Sequence, residues 1–201
     1  MAQRLILIRH GDLGESCRGC YIGRTDVPLS AEGRRQAAAL AGELGPLNGA
    51  HILCSPLLRC RETAGIALGA GATLDLDDDL REIDFGRWEG MSFAEVAAAD
   101  PAAVDRWAAL DEDFAFPGGE GIGAFRERIG AAAGRIADDP AGTVVAITHG
   151  GAIRLFICRF LGLDYRQYLL FDVRPASISE IRIEDGRGVL TRVNDTHHLE
   201  G

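Results

Sequence analysis

Two runs in this chain share one shape. Arg4 to Gly11 reads RLILIRHG and Thr143 to Gly151 reads TVVAITHGG, each an apolar, β-branched stretch that ends in His-Gly. In an α/β protein such runs read as buried parallel strands, and ligands in open α/β sheets bind just beyond the carboxyl ends of the strands. His10 and His149 delivered to that edge, with Arg9 beside the first, make a place where a phosphoryl group can be held and attacked. His10 sits where the chain leaves a strand for a glycine-rich turn whose N–H groups can face an anion. A neutral imidazole is a competent phosphorus nucleophile, and flanking arginines lower its pKa and keep it neutral. A buried, hydrogen-bonded histidine at a strand end is the ordinary alternative.

Other residues gain meaning from position. Arg59 lies in SPLLRCRETA, residues 55–64, in the first turn of an expected helix near the same edge. A cation there opposes the helix dipole, which a bound anion would relieve; an ordinary surface arginine is the other reading, and Arg61 is expected to face away. His149 can donate to a phosphoryl oxygen, with Gly150 and Gly151 permitting close backbone approach. Glu82 can act as general acid to a leaving alcohol and then as base to water. Glu120, in PGGEG, either touches substrate or caps the following helix. His51, His197 and His198 have no supporting spacing, and Trp88 and Trp107 read as packing residues.

The elements that must position these groups follow from pattern. Ser30 is a plausible N-cap for a helix to about Leu44. His51–Cys54 is a short strand, followed by a helix after Pro56 to about Leu68 and a strand over 73–76. Residues 80–92 look irregular, Ser92-Phe-Ala-Glu95 is a capping box, and Pro101 starts another helix. A loop over 114–121 precedes a helix to about 138. Then come a strand over 143–148, a helix over about 152–161, and strands over 177–183 and 188–193. Strands alternating with helices predict a three-layer, doubly wound, mostly parallel α/β sheet in a single domain over 1–201. Residues 84–121 form a helical insertion over the catalytic edge.

Composition sets bounds. The chain has 201 residues, 30 acidic and 21 basic, a net charge of −9, which disfavours non-specific nucleic-acid or membrane-surface binding. It contains no Lys, so every fixed side-chain cation is a guanidinium suited to bidentate phosphate contact. The first apolar run is only strand length, which predicts neither signal peptide nor membrane span. Cysteines 17, 20, 54, 60 and 158 fit no disulfide framework. Cys17 and Cys20 have metal-like spacing without a second pair, so the expectation is reduced thiols in the cytoplasm.

Taken together, these segments resemble the histidine phosphatase superfamily, the phosphoglycerate mutase-like fold. RHG at 9–11 is similar to its nucleophile motif, GRTDVPLSAEGRRQA at 23–37 to the segment that follows, and SPLLRCRETA to the motif of its second phosphate arginine. LREIDFGRWEG at 80–90 resembles the motif carrying the acid, and THGG at 148–151 the one carrying the second histidine. The resemblance implies a phosphohistidine on His10, with Arg9, Arg59, His149 and Gly150 around the phosphoryl oxygens and Glu82 as proton donor. It also implies substrate contacts at Gly23, Arg24, Thr25 and Glu120, no metal and no cofactor. Glu82-Ile83-Asp84-Phe85 stands where the glycolytic mutases carry Glu-Arg-His-Tyr, and there is no Lys to grip a second phosphate, so hydrolysis of a small phosphate ester fits better than a 2,3-bisphosphoglycerate-dependent mutase. CYIGRTDVPLS and REIDFGRWEG look most like α-ribazole phosphatases of cobalamin synthesis, although Asp12 and Gly121 depart from them. A non-catalytic phosphate-binding module is the third reading, and a homodimer stays open.

Overall fold

A computed structural model describes residues 3–45 and 47–200. Its centre is a six-stranded sheet in the order β3-β2-β4-β1-β5-β6, where β1 is Gln3–Arg9, β2 His51–Cys54, β3 Asp75–Leu76, β4 Thr143–Thr148, β5 Ile178–Glu184 and β6 Arg187–Asp195. The pairs β2/β3, β2/β4 and β1/β4 are parallel; β1/β5 and β5/β6 are antiparallel. The sheet is therefore parallel where it carries the two His-Gly runs and turns antiparallel on one side. The α-helices among the described residues are α1 (Ala31–Glu43), α2 (Leu58–Leu68), α3 (Phe93–Ala99), α4 (Pro101–Ala108), α5 (Ile122–Ala137) and α6 (Gly150–Leu161).

Strand alternation decides the layering. On β1 and β4, Leu5, Leu7, Val144 and Ala146 face one core with α5 and α6, whereas Ile6, Ile8, Val145 and Ile147 face a second core with α1 and α2. Both faces of these central strands are covered, so they are continuously apolar and not alternating. The helix starts follow their caps: Ser30 accepts from Gly33 N at α1, and Ser92 with Glu95 completes a capping box at α3. α6 begins at Gly150, two residues earlier than the sequence suggests, because His149 itself is its N-cap. β3 is only Asp75–Leu76, shorter than expected. No helix among the described residues is long and apolar enough to cross a membrane.

Residues 84–121 carry α3 and α4 and pack Trp88, Val96, Val104, Phe114 and Phe116 onto the α5/α6 core. The segment is stitched to the loop after β1 by Tyr21 N donating to Met91 O at 2.9 Å and Gly90 N to Tyr21 O at 2.8 Å.

Near the opposite, amino end of β2, His51 bridges Asp139 at 2.5 Å and Asp75 at 3.3 Å. The bond to Asp139 raises the His51 pKa against the opposing cost of burial, while the same bond and one from Ala141 N hold Asp139 low despite burial. A raised imidazole contributes stability that is present below its unfolded pKa and fades as pH rises through the folded one; the depressed carboxylate's share fades in acid. Urea unfolding of wild type and Asp139→Asn should therefore differ most near about pH 5.5, between the reference carboxylate and imidazole values, and the gap should shrink by about pH 9. A gap that grows in alkali would contradict this pairing.

Candidate functional site

Three adjacent strands, β2, β4 and β1, end side by side, and the residues just past their ends form the site. The ladder continues one step beyond each strand: His10 N donates to Thr148 O at 3.0 Å and Ser55 N to Ile147 O at 2.9 Å. His10 O accepts from Ala176 N at 3.0 Å, with Ala176 held at φ 55°, a conformation that costs a non-glycine residue free energy. His10 and His149 thus come together with ring centroids 5.2 Å apart.

The hydrogen bonds fix the tautomers. His10 Nδ1 lies 2.8 Å from Gly11 O; a carbonyl only accepts, so Nδ1 carries the proton and the Nε2 lone pair is exposed for reaction. Arg59 Nε donates to His149 Nδ1 at 3.2 Å, so the His149 proton is on Nε2, which donates to Ser55 Oγ at 2.8 Å. Both His149 nitrogens are engaged by protein, and donation to a phosphoryl oxygen would require its Ser55 proton to be redirected. Burial, then the charges of Arg9 and Arg59, hold the His10 pKa well below the ordinary imidazole value, with the Gly11 bond opposing. His149 is held low by burial, then by Arg59, His10 and Arg9.

Arg9 donates to Val173 O at 2.6 Å, and its guanidinium lies against Gly150. Among the described residues its buried Nε finds no partner, an orphan donor of the kind an anion would satisfy. Arg59 is fully buried; besides His149, it donates to Thr25 O at 2.9 Å and Gly23 O at 2.6 Å. Glu82 accepts from Ile83 N at 3.0 Å and Gly151 N at 2.9 Å. A Cβ on Gly151 would lie 2.4 Å from Glu82 Oε1, so a side chain there would push the carboxylate out of this position. His10, Arg9, Glu82, Gly150 and Arg154 line a cleft of about 500 Å³. A second cavity of about 290 Å³ adjoins it and shares Glu82, Tyr21 and Arg154, with Phe85, Trp107 and Phe116 among its walls.

The four residues expected to contact substrate also carry structural bonds. Gly23, Arg24 and Thr25 give their backbone N–H groups to the Glu89 carboxylate, at 3.1, 2.8 and 3.2 Å, and a Cβ on Gly23 would meet Ile83 O at 2.0 Å. The segment is the cradle of Arg59 and lies outside the cleft lining. Glu120 neither lines the cleft nor caps α5; it pairs with Arg128. Arg61 is exposed, as expected. Cys17 and Cys20 are free thiols at the cleft mouth.

Sequence reasoning passed over Ser55, Thr63, Glu89 and Arg128. Thr63 Oγ1 accepts from Gly11 N at 3.1 Å, locking the turn that carries His10. Ser55 had a signal, since it follows β2 as His10 follows β1 and His149 follows β4. Glu89 is held below the usual carboxylate range: burial opposes this, and bonds from Thr25, Arg24, Gly23 and Phe85 prevail.

Residues 5–196 match the family described as the histidine phosphatase superfamily (branch 1). A bifunctional protein of Mycobacterium tuberculosis is 38% identical over 204 residues, covering 98% of this chain and 55% of that protein, so the chain spans about half its length. Phosphoserine phosphatase 1 of Hydrogenobacter thermophilus is 33% identical, covering 98% of this chain and 94% of the other. The crystal structure of the alpha-ribazole phosphatase from Shigella flexneri superposes with a TM-score of 0.87 at 29% identity, over 96% of this chain and 97% of that one.

The buried imidazoles have a measurable consequence. A histidine held neutral in the folded state binds fewer protons than in the unfolded chain below about pH 6.5, so acid costs stability from there downward. Nitrogen-15 NMR of the histidines should find His10 neutral, protonated on Nδ1, at about pH 6, below the reference imidazole value. Titration of His10 at or above that reference would contradict the geometry.

Proposed function

The chain belongs to the histidine phosphatase superfamily, and from that premise we propose that it is a metal-independent phosphomonoesterase working through a phosphohistidine on His10. The observation that carries this reading is the His10 Nε2 lone pair, left free by the Nδ1–Gly11 bond beside two buried guanidiniums. In the first step Nε2 attacks phosphorus in line, the ester P–O bond breaks, and Glu82 gives its proton to the departing oxygen. In the second, water attacks the phosphohistidine while the Glu82 carboxylate takes its proton, restoring the imidazole and releasing phosphate. Arg9, Arg59 and the amino end of α6 at Gly150 stabilise the charge on the equatorial oxygens. Those arginines do the electrostatic work that Mg²⁺ does in other phosphoryl transfers.

The leaving group would occupy the 290 Å³ cavity beyond Glu82. Its walls of Tyr21, Phe85, Trp107 and Phe116 suit a planar aromatic group, and in this reading residues 84–121 roof it within one domain. Arg154 is the arginine among its lining residues, thin provision for the second phosphate a mutase must hold. Both features favour hydrolysis, and an ester such as α-ribazole 5′-phosphate over phosphoserine, the compounds after which two of the relatives are named.

Purified protein should release phosphate from p-nitrophenyl phosphate in excess EDTA, and His10→Ala should not. Glu82→Gln should lose roughly 10²–10⁴-fold on alkyl phosphates and much less on the nitrophenyl ester, whose phenolate departs without a proton. Activity that chelation abolishes and a divalent ion restores would overturn the mechanism. In competition kinetics α-ribazole 5′-phosphate should exceed phosphoserine in kcat/KM; the reverse order would overturn the substrate assignment alone.

A further inference from the structure

The Glu82 carboxylate is held by its own neighbour and by Gly151, and Thr148 Oγ1 donates to Leu80 O at 2.6 Å. Most of the remaining backbone that presents the acid is held by one distant side chain. Arg128, on α5, spends all five of its N–H groups on this task. Nη1 donates to Asp79 O and Arg81 O, both at 2.7 Å, and Nη2 to Glu82 O at 3.0 Å. Nε and Nη2 grip the two Glu120 oxygens at 2.7 and 2.9 Å. Glu120 in turn accepts from Asp84 N at 3.3 Å, while its own N–H donates to Asp84 O at 2.9 Å. The carbonyls of residues 79, 81 and 82 are thus tied to α5 directly, and the backbone of residue 84 is tied to it through Glu120, which precedes the helix. Both side chains are largely buried, 13% and 14% exposed. The Arg128 guanidinium also stacks 4.5 Å from the centroid of Phe125, a wall of the aromatic cavity.

We propose that Arg128, fixed by Glu120, is a positioning residue that sets the reach of the Glu82 proton to the leaving oxygen. The inference rests on the role given to Glu82 above. Its physical basis is that segment 79–84 has no regular secondary structure beyond the short turn at Asp78–Leu80, so its backbone polar groups need partners elsewhere. A planar five-donor fork can bind three carbonyls and a carboxylate together; an ammonium with three donors cannot. Arg128 makes no hydrogen bond to either histidine, and its charge is the last and smallest of the influences that hold His149 low, after burial, Arg59, His10 and Arg9. Its loss should therefore act chiefly through the acid.

The test is the leaving-group dependence of kcat/KM, which reports phosphoryl transfer to the enzyme and not the later hydrolysis. Ribose 5-phosphate, an alkyl ester, and p-nitrophenyl phosphate are compared for wild type, Arg128→Gln and Glu82→Gln. Removing one partner of a buried pair leaves a buried charge unpaired, so the double variant Glu120→Met/Arg128→Met serves as a second version that removes both charges. Loss of the strap should cost about 10²-fold on the alkyl ester, the usual scale for a misplaced catalytic group, with the nitrophenyl ester close to wild type and with Arg128→Lys showing the same selective loss. Equal losses on both esters, or none in the double variant, would overturn the positioning role while leaving Glu82→Gln selective. A Glu82→Gln variant that itself ignores the leaving group would overturn the role of the acid instead.

Discussion

Two buried guanidiniums converge on a pair of buried imidazoles, and much of the architecture serves to make that tolerable. A buried cation needs compensation. Here the direct hydrogen-bond partners of Arg9 and Arg59 are carbonyl oxygens, of Val173, Gly23 and Thr25, and an imidazole nitrogen. Carbonyls satisfy N–H groups without neutralising charge. The positive field therefore remains for a ligand, and it is the same field that, after burial itself, keeps His10 and His149 unprotonated. A single arrangement attracts an anion and preserves the nucleophile that would attack it.

The surrounding structure supports this concentration of charge one step removed. Glu89 gathers the N–H groups of residues 23–25, which turns the carbonyls of Gly23 and Thr25 to Arg59. Thr63 reaches from α2 to lock Gly11, and Ser55 fixes the second histidine. The acid arrives from a different direction, on an irregular segment strapped to α5. Nucleophile and acid are thus presented from different directions, the first by strand ends and the second by a segment strapped to α5, and they meet where Gly151 N holds the Glu82 carboxylate. Beyond the acid, Phe85, Trp107 and Phe116 of the segment between β3 and α5 line the cavity together with Tyr21, Phe125, Tyr165 and Tyr168.

The sheet was legible because β1 and β4 are apolar on both faces and end abruptly at His-Gly; burial on both faces leaves no other pattern. Ser92 with Glu95 and Pro101 announced α3 and α4 by local chemistry. The roles that stayed hidden share a cause. Gly23, Arg24 and Thr25 act through backbone groups, which the sequence does not display, and Glu120 is committed to Arg128, a partner two helical turns away. Arg128 itself reads as one more helix-surface arginine until residues 79–84 are folded over it. Ser55 carries no motif of its own and gains its role only when β2 lies beside β4. Order along the chain reveals the groups proposed to meet substrate, whereas those that position them depend on contacts between segments 36 to 94 residues apart.

The central claim concerns one nitrogen. Rapid quench during turnover of a phosphate ester, with NMR or mass spectrometric localisation of the trapped phosphorus, addresses it directly. The account predicts an acid-labile phosphoramidate on Nε2 of His10, because Nδ1 is committed to the Gly11 carbonyl. Phosphorus on Nδ1, on another residue, or on none while turnover proceeds would contradict it.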